Sequence, residues 1–193
     1  LLLALTTFTP VYQATAEFWN LPQQLSPGNS SITFEVDSTW HLIKGTSKNF
    51  SGKLWLNDPK DFQSVRGNII LPISEFDTEN ESRNERMREV THASEYPNVE
   101  FSITNFNAPQ CNPTTLTENS PCNSTLEGDL TINNVTKKVI AKTSLEKNDQ
   151  TYKVTGVTSI KWADFNVEDP SILVAKLYED VNIQIKITLP PIK

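Results

Sequence analysis

The sequence predicts an all-β domain of eight antiparallel strands, and three observations predict it. Most of the chain alternates apolar and polar residues with a period of two, which is the pattern of strands with one buried and one wet face. Turn-forming residues separate the runs, most plainly Asn133-Asn134 between two long alternating stretches, because Asn tolerates positive φ. Several inward positions are glycine, at Gly52, Gly67, Gly128 and Gly156, and glycine inside a strand marks a bend or a close approach. Eight such strands can close into a barrel or stack as a two-sheet sandwich. The alternation fits both, and the bend-forming glycines favour the barrel.

The 193 residues suffice for one domain with a real core. Leu1–Thr9 is apolar, small and uncharged, and Ala14-Thr15-Ala16 has the small-x-small form of a secretory cleavage site. Residues 1–16 are therefore expected to be what remains of a signal peptide, too short to span a bilayer. Residues 17–30, with Pro22, Pro27 and Gly28, read as an irregular lead-in whose Phe18, Trp19 and Leu21 could pack as a plug or lid. Residues 31–193 form the domain itself.

Ile32, Phe34 and Val36 make the first predicted strand. Phe50, Gly52, Leu54 and Leu56 make the second, and Val65, Gly67, Ile69 and Leu71 the third. The period then breaks. Residues 79–93, ENESRNERMREVTHA, contain neither Gly nor Pro. With Asp77 and Thr78 as caps, they predict a short amphipathic helix with Met87 and Val90 near one face. Val99, Phe101 and Ile103 resume the alternation as the fourth strand. Leu126, Gly128, Leu130 and Ile132, then Val139, Ala141, Thr143 and Leu145, form a hairpin about Asn133-Asn134. Tyr152 to Ile160 is the seventh strand. The last is the cleanest, with Val181, Ile183, Ile185, Ile187 and Leu189 inward and Asn182, Gln184, Lys186 and Thr188 in water. The stretch 162–180 between these two is irregular, with a short helix expected near Ser171–Lys176.

Cys111 and Cys122 flank a segment rich in Pro, Asn and Thr. Two cysteines in an exported chain pair as a rule. Closing so short a loop is expected to stabilise the fold by about 3 kcal/mol in the chain-entropy model. Neither CxxC nor CxxCH occurs, so redox-motif chemistry and covalent haem attachment have no support. Sequons stand at Asn29, Asn49, Asn80, Asn123 and Asn134, about as many as chance supplies in so Asn-rich a chain.

The net charge of −6 and pI of about 5.0 exclude a cationic footprint for nucleic acid and weigh against docking on anionic lipid head groups. For chemistry the sequence offers little. His41 and His92 lie far apart, and GxSxG, HExxH and a phosphate-cradling glycine loop are all missing. Asp129 and Glu100 fall on wet faces. An enzyme would need His41 or His92 within reach of a carboxylate inside a cleft.

The segments ITFEVDSTWHLIKGTSKNFSGKL, PISEFDTENESRNERMREV, EYPNVEFSI, LEGDLTINNVTKK, VTSIKWADF and LYEDVNIQIKI resemble, in order and spacing, the YceI-like domain family. The resemblance covers residues 31–189. It implies an eight-stranded antiparallel lipocalin-like β-barrel with the short helix between strands three and four, an exported bacterial protein, and a long polyisoprenoid or quinone-type lipid inside the barrel. Three departures stand out. Arg83-Asn84 replaces the family's usual Arg-Asp, the loop carrying the cysteines is an insertion, and the helix-to-strand join at residues 91–96 is shorter than in many relatives.

On this reading Phe34, Val36, Phe50, Leu54, Ile69, Phe101, Ile103, Leu130 and Ile160 line the ligand site with Met87 and Val90 from the helix. Simple core packing is the rival account of each. Trp40 and His41 near the mouth are candidates for a polar head group. Arg83, Arg86 and Arg88 could clamp one too, although the interleaved glutamates suit a solvated helix face. The expected function is periplasmic or secreted carriage or sequestration of an extended apolar lipid, without catalysis, cofactor or metal. The partners expected are that lipid, no nucleic acid and no stable membrane insertion, with homodimer formation left open. The alternative is a filled barrel that works through its outer surface as a structural or interaction protein.

Overall fold

Strands that alternate so regularly have nowhere to put their apolar faces except against one another, and here they do so by curling. The computed structural model describes residues 18–21, 30–58, 60–111, 116, 120–148, 151–172 and 175–189. The strands are β1 (Phe18–Leu21), β2 (Ser31–Ser38), β3 (Ile43–Ser47), β4 (Ser51–Leu56), β5 (Val65–Pro72), β6 (Asn98–Asn107), β7 (Cys122–Ile132), β8 (Val135–Asn148), β9 (Thr151–Lys161) and β10 (Leu177–Leu189). They form one sheet in the order β1-β4-β5-β6-β7-β8-β9-β10-β2-β3, antiparallel throughout. From β4 to β10 the chain meanders between neighbours. The early strand β2 then pairs with the last, Val36 opposite Val181 and Ile32 opposite Ile185, so the sheet curls into a lipocalin-like barrel. Between β3 and β4 the described residues form no ladder. Thr46 and Asp77 exchange both backbone hydrogen bonds there, at 3.0 and 3.1 Å.

Ten strands stand among the described residues where eight were expected. β3 has a single large apolar residue, Ile43, so it carries no alternation signal; its pairing with β2 makes it a strand. β1 pairs with β4, which corrects the irregular lead-in over Phe18–Leu21. There the gain is backbone pairing along a strand edge. The signal-peptide reading of residues 1–16 lies outside the described residues, as do the side chains of Phe18, Trp19 and Leu21 on which the plug or lid reading rests.

Two local features reset the pattern. Gly52 has φ +148° and a Cβ there would meet the Asn68 carbonyl, so only glycine serves where β4 begins. In β6 the register shifts between Ile103 and Asn105. That bulge changes the phase, so Phe106 turns inward and is buried although it is out of step with Val99, Phe101 and Ile103. The β7–β8 turn is as expected, with Asn133 and Asn134 both at positive φ, 48° and 58°.

The helix, α1, runs Glu81–Val90. Its cap is Asn80, whose side chain accepts from the Arg83 N–H at 3.0 Å, in place of the expected Asp77 and Thr78. Those two residues instead bond the buried Asn84. None of the described residues in Ser171–Lys176 is helical. Ile172 and Ala175 exchange backbone hydrogen bonds at 3.0 Å each way, which uses groups a helix would need. A short 3₁₀ turn occupies Trp162–Phe165. Cys111 and Cys122 are joined in a disulfide at the end of the barrel away from α1. Leu56, Phe62, Ala108, Leu145, Tyr152 and Leu189 complete the buried floor there. Phe62 meets Tyr152 edge-on at 5.7 Å.

Candidate functional site

Above that floor the inward faces do not meet. They enclose a cavity of about 650 Å³ whose wall is almost wholly apolar and drawn from β2 to β10 and α1. Alternation supplies the wall. Phe34 and Val36 come from β2, Leu54 from β4, Ile69 from β5, Phe101 and Ile103 from β6, Leu130 from β7 and Ile160 from β9, while α1 adds Met87 and Val90. Trp40 and His41, from the β2–β3 turn, also line it. Gly128 makes room for one of these groups, because a Cβ there would strike the Phe101 ring.

Phe50 is the exception. It is 2% exposed and belongs to the packed core, outside the cavity wall. It precedes β4, and the reorientation at Gly52 separates it from the alternation that aims Leu54 inward.

The sequence reading missed other parts of the wall. Val181, Ile183 and Ile185 of β10 line the cavity and are only half-buried, although their alternation is the plainest in the chain. Phe76 lines it too and tilts against Phe34 at 5.5 Å. No sequence signal marked it, because it follows β5 in a short turn. The segment between β9 and β10 supplies Val167, Pro170, Ile172 and Ala175. Its part in the rim follows from packing across the mouth, which periodicity does not encode.

The rim is built with polar bonds. Ser38 accepts from the N–H groups of Trp40 and His41 at 3.3 and 3.1 Å and donates to the His41 carbonyl at 2.6 Å. This fixes the turn that carries Trp40, which is 65% exposed. Asn84, 7% exposed, ties α1 down. Its side-chain oxygen accepts from the Thr78 N–H at 2.9 Å and the Thr78 hydroxyl at 2.7 Å, and its amide donates to Asp77 at 3.1 Å. That donation, with one from the Glu79 N–H, holds the Asp77 carboxyl below its usual range. The Arg86 guanidinium reaches across to the Asp169 carbonyl at 3.1 Å, and the Glu168 N–H donates to the Val90 carbonyl at 3.2 Å. On the floor, burial pushes the Tyr152 phenol up, so it stays neutral.

His92 does have a carboxylate, Glu168 at 3.2 Å, but the pair lies outside the cavity wall with both side chains largely in solvent. Acid–base chemistry on a bound molecule would need them inside. Among the described residues no group of three or more His, Cys, Asp or Glu is placed to hold a metal, and no helix is long and apolar enough to cross a membrane.

Comparison with solved structures shows the same fold. BcnA of Burkholderia cenocepacia superposes with a TM-score of 0.69 at 19% identity, over 85% of this chain and 98% of that one. A polyisoprenoid binding domain from Saccharophagus degradans gives 0.67 at 15% identity, over 86% and 97%. The YceI protein of Campylobacter jejuni gives 0.63 at 19% identity, over 78% and 86%. Comparison with curated proteins finds no match. The family model for the YceI-like domain matches residues 23–189, nearly the full span of the barrel, and the chain belongs to that family.

Proposed function

We propose that this barrel binds an extended apolar lipid, of polyisoprenoid or quinone type, and shields it from water as a periplasmic or secreted carrier or sequestering protein. The observation that carries the reading is the cavity itself. Its 650 Å³ falls within the ~300–1,000 Å³ usual for small-molecule sites, and its wall is apolar to the floor. Each CH₂ moved into such a wall gains about 0.8 kcal/mol. A tail of roughly twenty carbons gains over 10 kcal/mol gross, enough to survive the losses of ordering and immobilisation. The half-buried Met87 suits a wall that must fit a flexible tail. The polyisoprenoid binding domain among the similar structures supports the ligand class. A cavity of this size weighs against the filled-barrel alternative. In this reading the protein makes and breaks no bonds.

The test is native mass spectrometry of the protein purified from an export fraction, followed by organic extraction. The expected result is a co-purifying isoprenoid or quinone that is lost on denaturation. An apo mass, together with no uptake of added isoprenoid, would overturn the proposal in favour of a protein that works through its outer surface.

A further inference from the structure

Two rings close the floor of the cavity. Phe62 and Tyr152 both line it, at 5% and 6% exposure, and they meet edge-on at 5.7 Å. Phe62 opens the 3₁₀ turn that leads into β5, and Tyr152 lies near the start of β9. β5 and β9 stand four places apart in the sheet order, so the rings reach each other across the bore. A second layer backs them. Leu56, Ala108 and the disulfide-bonded Cys111 and Cys122 belong to the same packed cluster but do not line the cavity. A tail that enters at the mouth therefore ends on the two rings, with no exit below them among the described residues.

The strands set the depth above that floor. On β9, Tyr152 at the floor and Ile160 toward the mouth both line the cavity, eight residues apart. At ~3.3 Å per residue, in strands tilted by roughly 40° as barrel closure requires, the depth is about 20 Å. An extended hydrocarbon with C–C bonds of ~1.5 Å advances about 1.25 Å per bond, so about 16 main-chain carbons fill that depth. An isoprene unit places four carbons in the main chain and one in a branch, so the tail is about four units long. The volume agrees. The roughly twenty carbons of such a tail share the 650 Å³ at about 30 Å³ each, the space a water molecule takes in the liquid.

We propose that Phe62 and Tyr152 gauge the length of the tail, so that a ligand of up to about four isoprene units is taken in whole and a longer one leaves its remaining units in water at the mouth. This rests on the lipid reading of the cavity and adds the tail length and the residues that set it.

The full chain is incubated with phosphatidylcholine vesicles that carry prenols of two to nine isoprene units at equal mole fractions. The protein is then separated and extracted, and the prenols it holds are quantified. Every unit is buried in the bilayer, so a unit left outside the barrel counts against uptake. Wild type is expected to take up prenols of up to four units, with uptake falling by roughly tenfold or more at the unit beyond. Tyr152→Ala and Phe62→Ala each remove a ring from the floor and are expected to move the cut-off to five units. Uptake of the two-unit prenol reports that these variants fold. Should neither take it up, Leu145→Phe decides, because it fills the floor from a residue that also lines the cavity and should lower the cut-off to three. Undiminished uptake at six or nine units would overturn the gauge and leave the lipid reading standing. A four-unit cut-off that none of the variants moves would take the gauge away from Phe62 and Tyr152. A wild-type protein that holds no prenol of any length would overturn the lipid reading, and the gauge with it.

Discussion

The two ends of this barrel are made from the same alternating pattern and held by different forces. At the disulfide end Leu56, Phe62, Phe106, Leu145, Tyr152 and Leu189 are all at most 7% exposed and belong to one packed cluster. At the helix end the same strands present Val99, Phe101, Val181 and Ile183 half-buried, facing space across the cavity. Contacts between apolar side chains hold the first end. Hydrogen bonds hold the second, through Asn84 with Thr78 and Asp77, Arg86 with Asp169, and His92 with Glu168. Dispersion and burial therefore stabilise the floor, while the rim is positioned by bonds that need little apolar contact, which suits an end that must admit a ligand.

Truncating one residue at each end puts that contrast to its strongest test. Leu56→Ala, at a residue 1% exposed, should cost about 2–5 kcal/mol, because transfer and cavity costs add in a closed core. Ile183→Ala removes a similar side chain from a half-buried position that faces the cavity. It should cost only about 1 kcal/mol, because the side chain has fewer neighbours to lose. Urea denaturation of both variants measures the difference. Equal costs would mean that the cavity end is packed as tightly as the floor.

A second prediction concerns the rim alone. Asn84 works here because its amide offers both an acceptor to Thr78 and a donor to Asp77. Asn84→Asp restores the residue the family resemblance leads one to expect, and replaces that donor by a second carboxylate facing Asp77. A loss of about 1–3 kcal/mol is expected at pH 7.5, typical of a buried partner removed from a network. Two facing carboxylates raise the pKa of one of them. The variant should therefore recover stability as pH falls through that raised value and a shared proton restores the donor. In the wild type the direction is opposite. Asp77 has a lowered pKa in the fold, so its contribution is present above the ordinary ~3.9 and is lost as pH falls through the lower folded value. Denaturation of both proteins at pH 5 and 7.5 separates the two cases, and an Asn84→Asp protein as stable as wild type at pH 7.5 would discard the network.

The contrast between the two ends also explains what the sequence made legible. Alternation names the face on which a residue lies, so Leu54, Ile69, Leu130 and Ile160 could be assigned inward from the chain alone. It does not say whether opposing faces touch. The residues assigned to the wall therefore include Phe50, which is packed core, beside Phe34, which borders the cavity. Features that change the phase were hidden for a related reason. The β6 bulge that turns Phe106 inward leaves no mark in composition. Strand β3 owes its existence to a partner outside its own five residues. The rim was the least legible part, because the bonds from Asn84 to Asp77 and from Arg86 to Asp169 join residues whose pairing depends on how α1 and the β9–β10 segment lie across the mouth. The disulfide and the Asn133-Asn134 turn were legible because each depends on a short stretch of chain.

The smallest expected effect is at His92, which joins the end of α1 to the β7–β8 turn and to the β9–β10 segment. The Asn133 amide nitrogen donates to the Asn166 carbonyl at 2.8 Å, so its oxygen is the atom that faces His92 Nδ1 at 3.0 Å. Nδ1 must then carry a hydrogen. Nε2 stands 3.2 Å from the Glu168 carboxylate and needs one as well. Only the imidazolium satisfies both contacts, and the His92 pKa is accordingly raised, first by the Asn133 bond and then by Glu168. A group whose pKa is raised on folding stabilises the fold fully below its unfolded value, ~6.5, and loses that contribution as pH rises through the folded value. The His92 ring protons, followed by NMR, should therefore titrate with a midpoint above that of a free imidazole. Glu168→Gln should move the midpoint part of the way back, since the Asn133 bond remains. Amide protection in residues 166–172, measured relative to intrinsic exchange at each pH, should fall over the same interval as the tie weakens, while protection at the disulfide end stays unchanged. A midpoint at or below ~6.5, or protection that falls equally at both ends, would remove the proton from the forces that hold the rim.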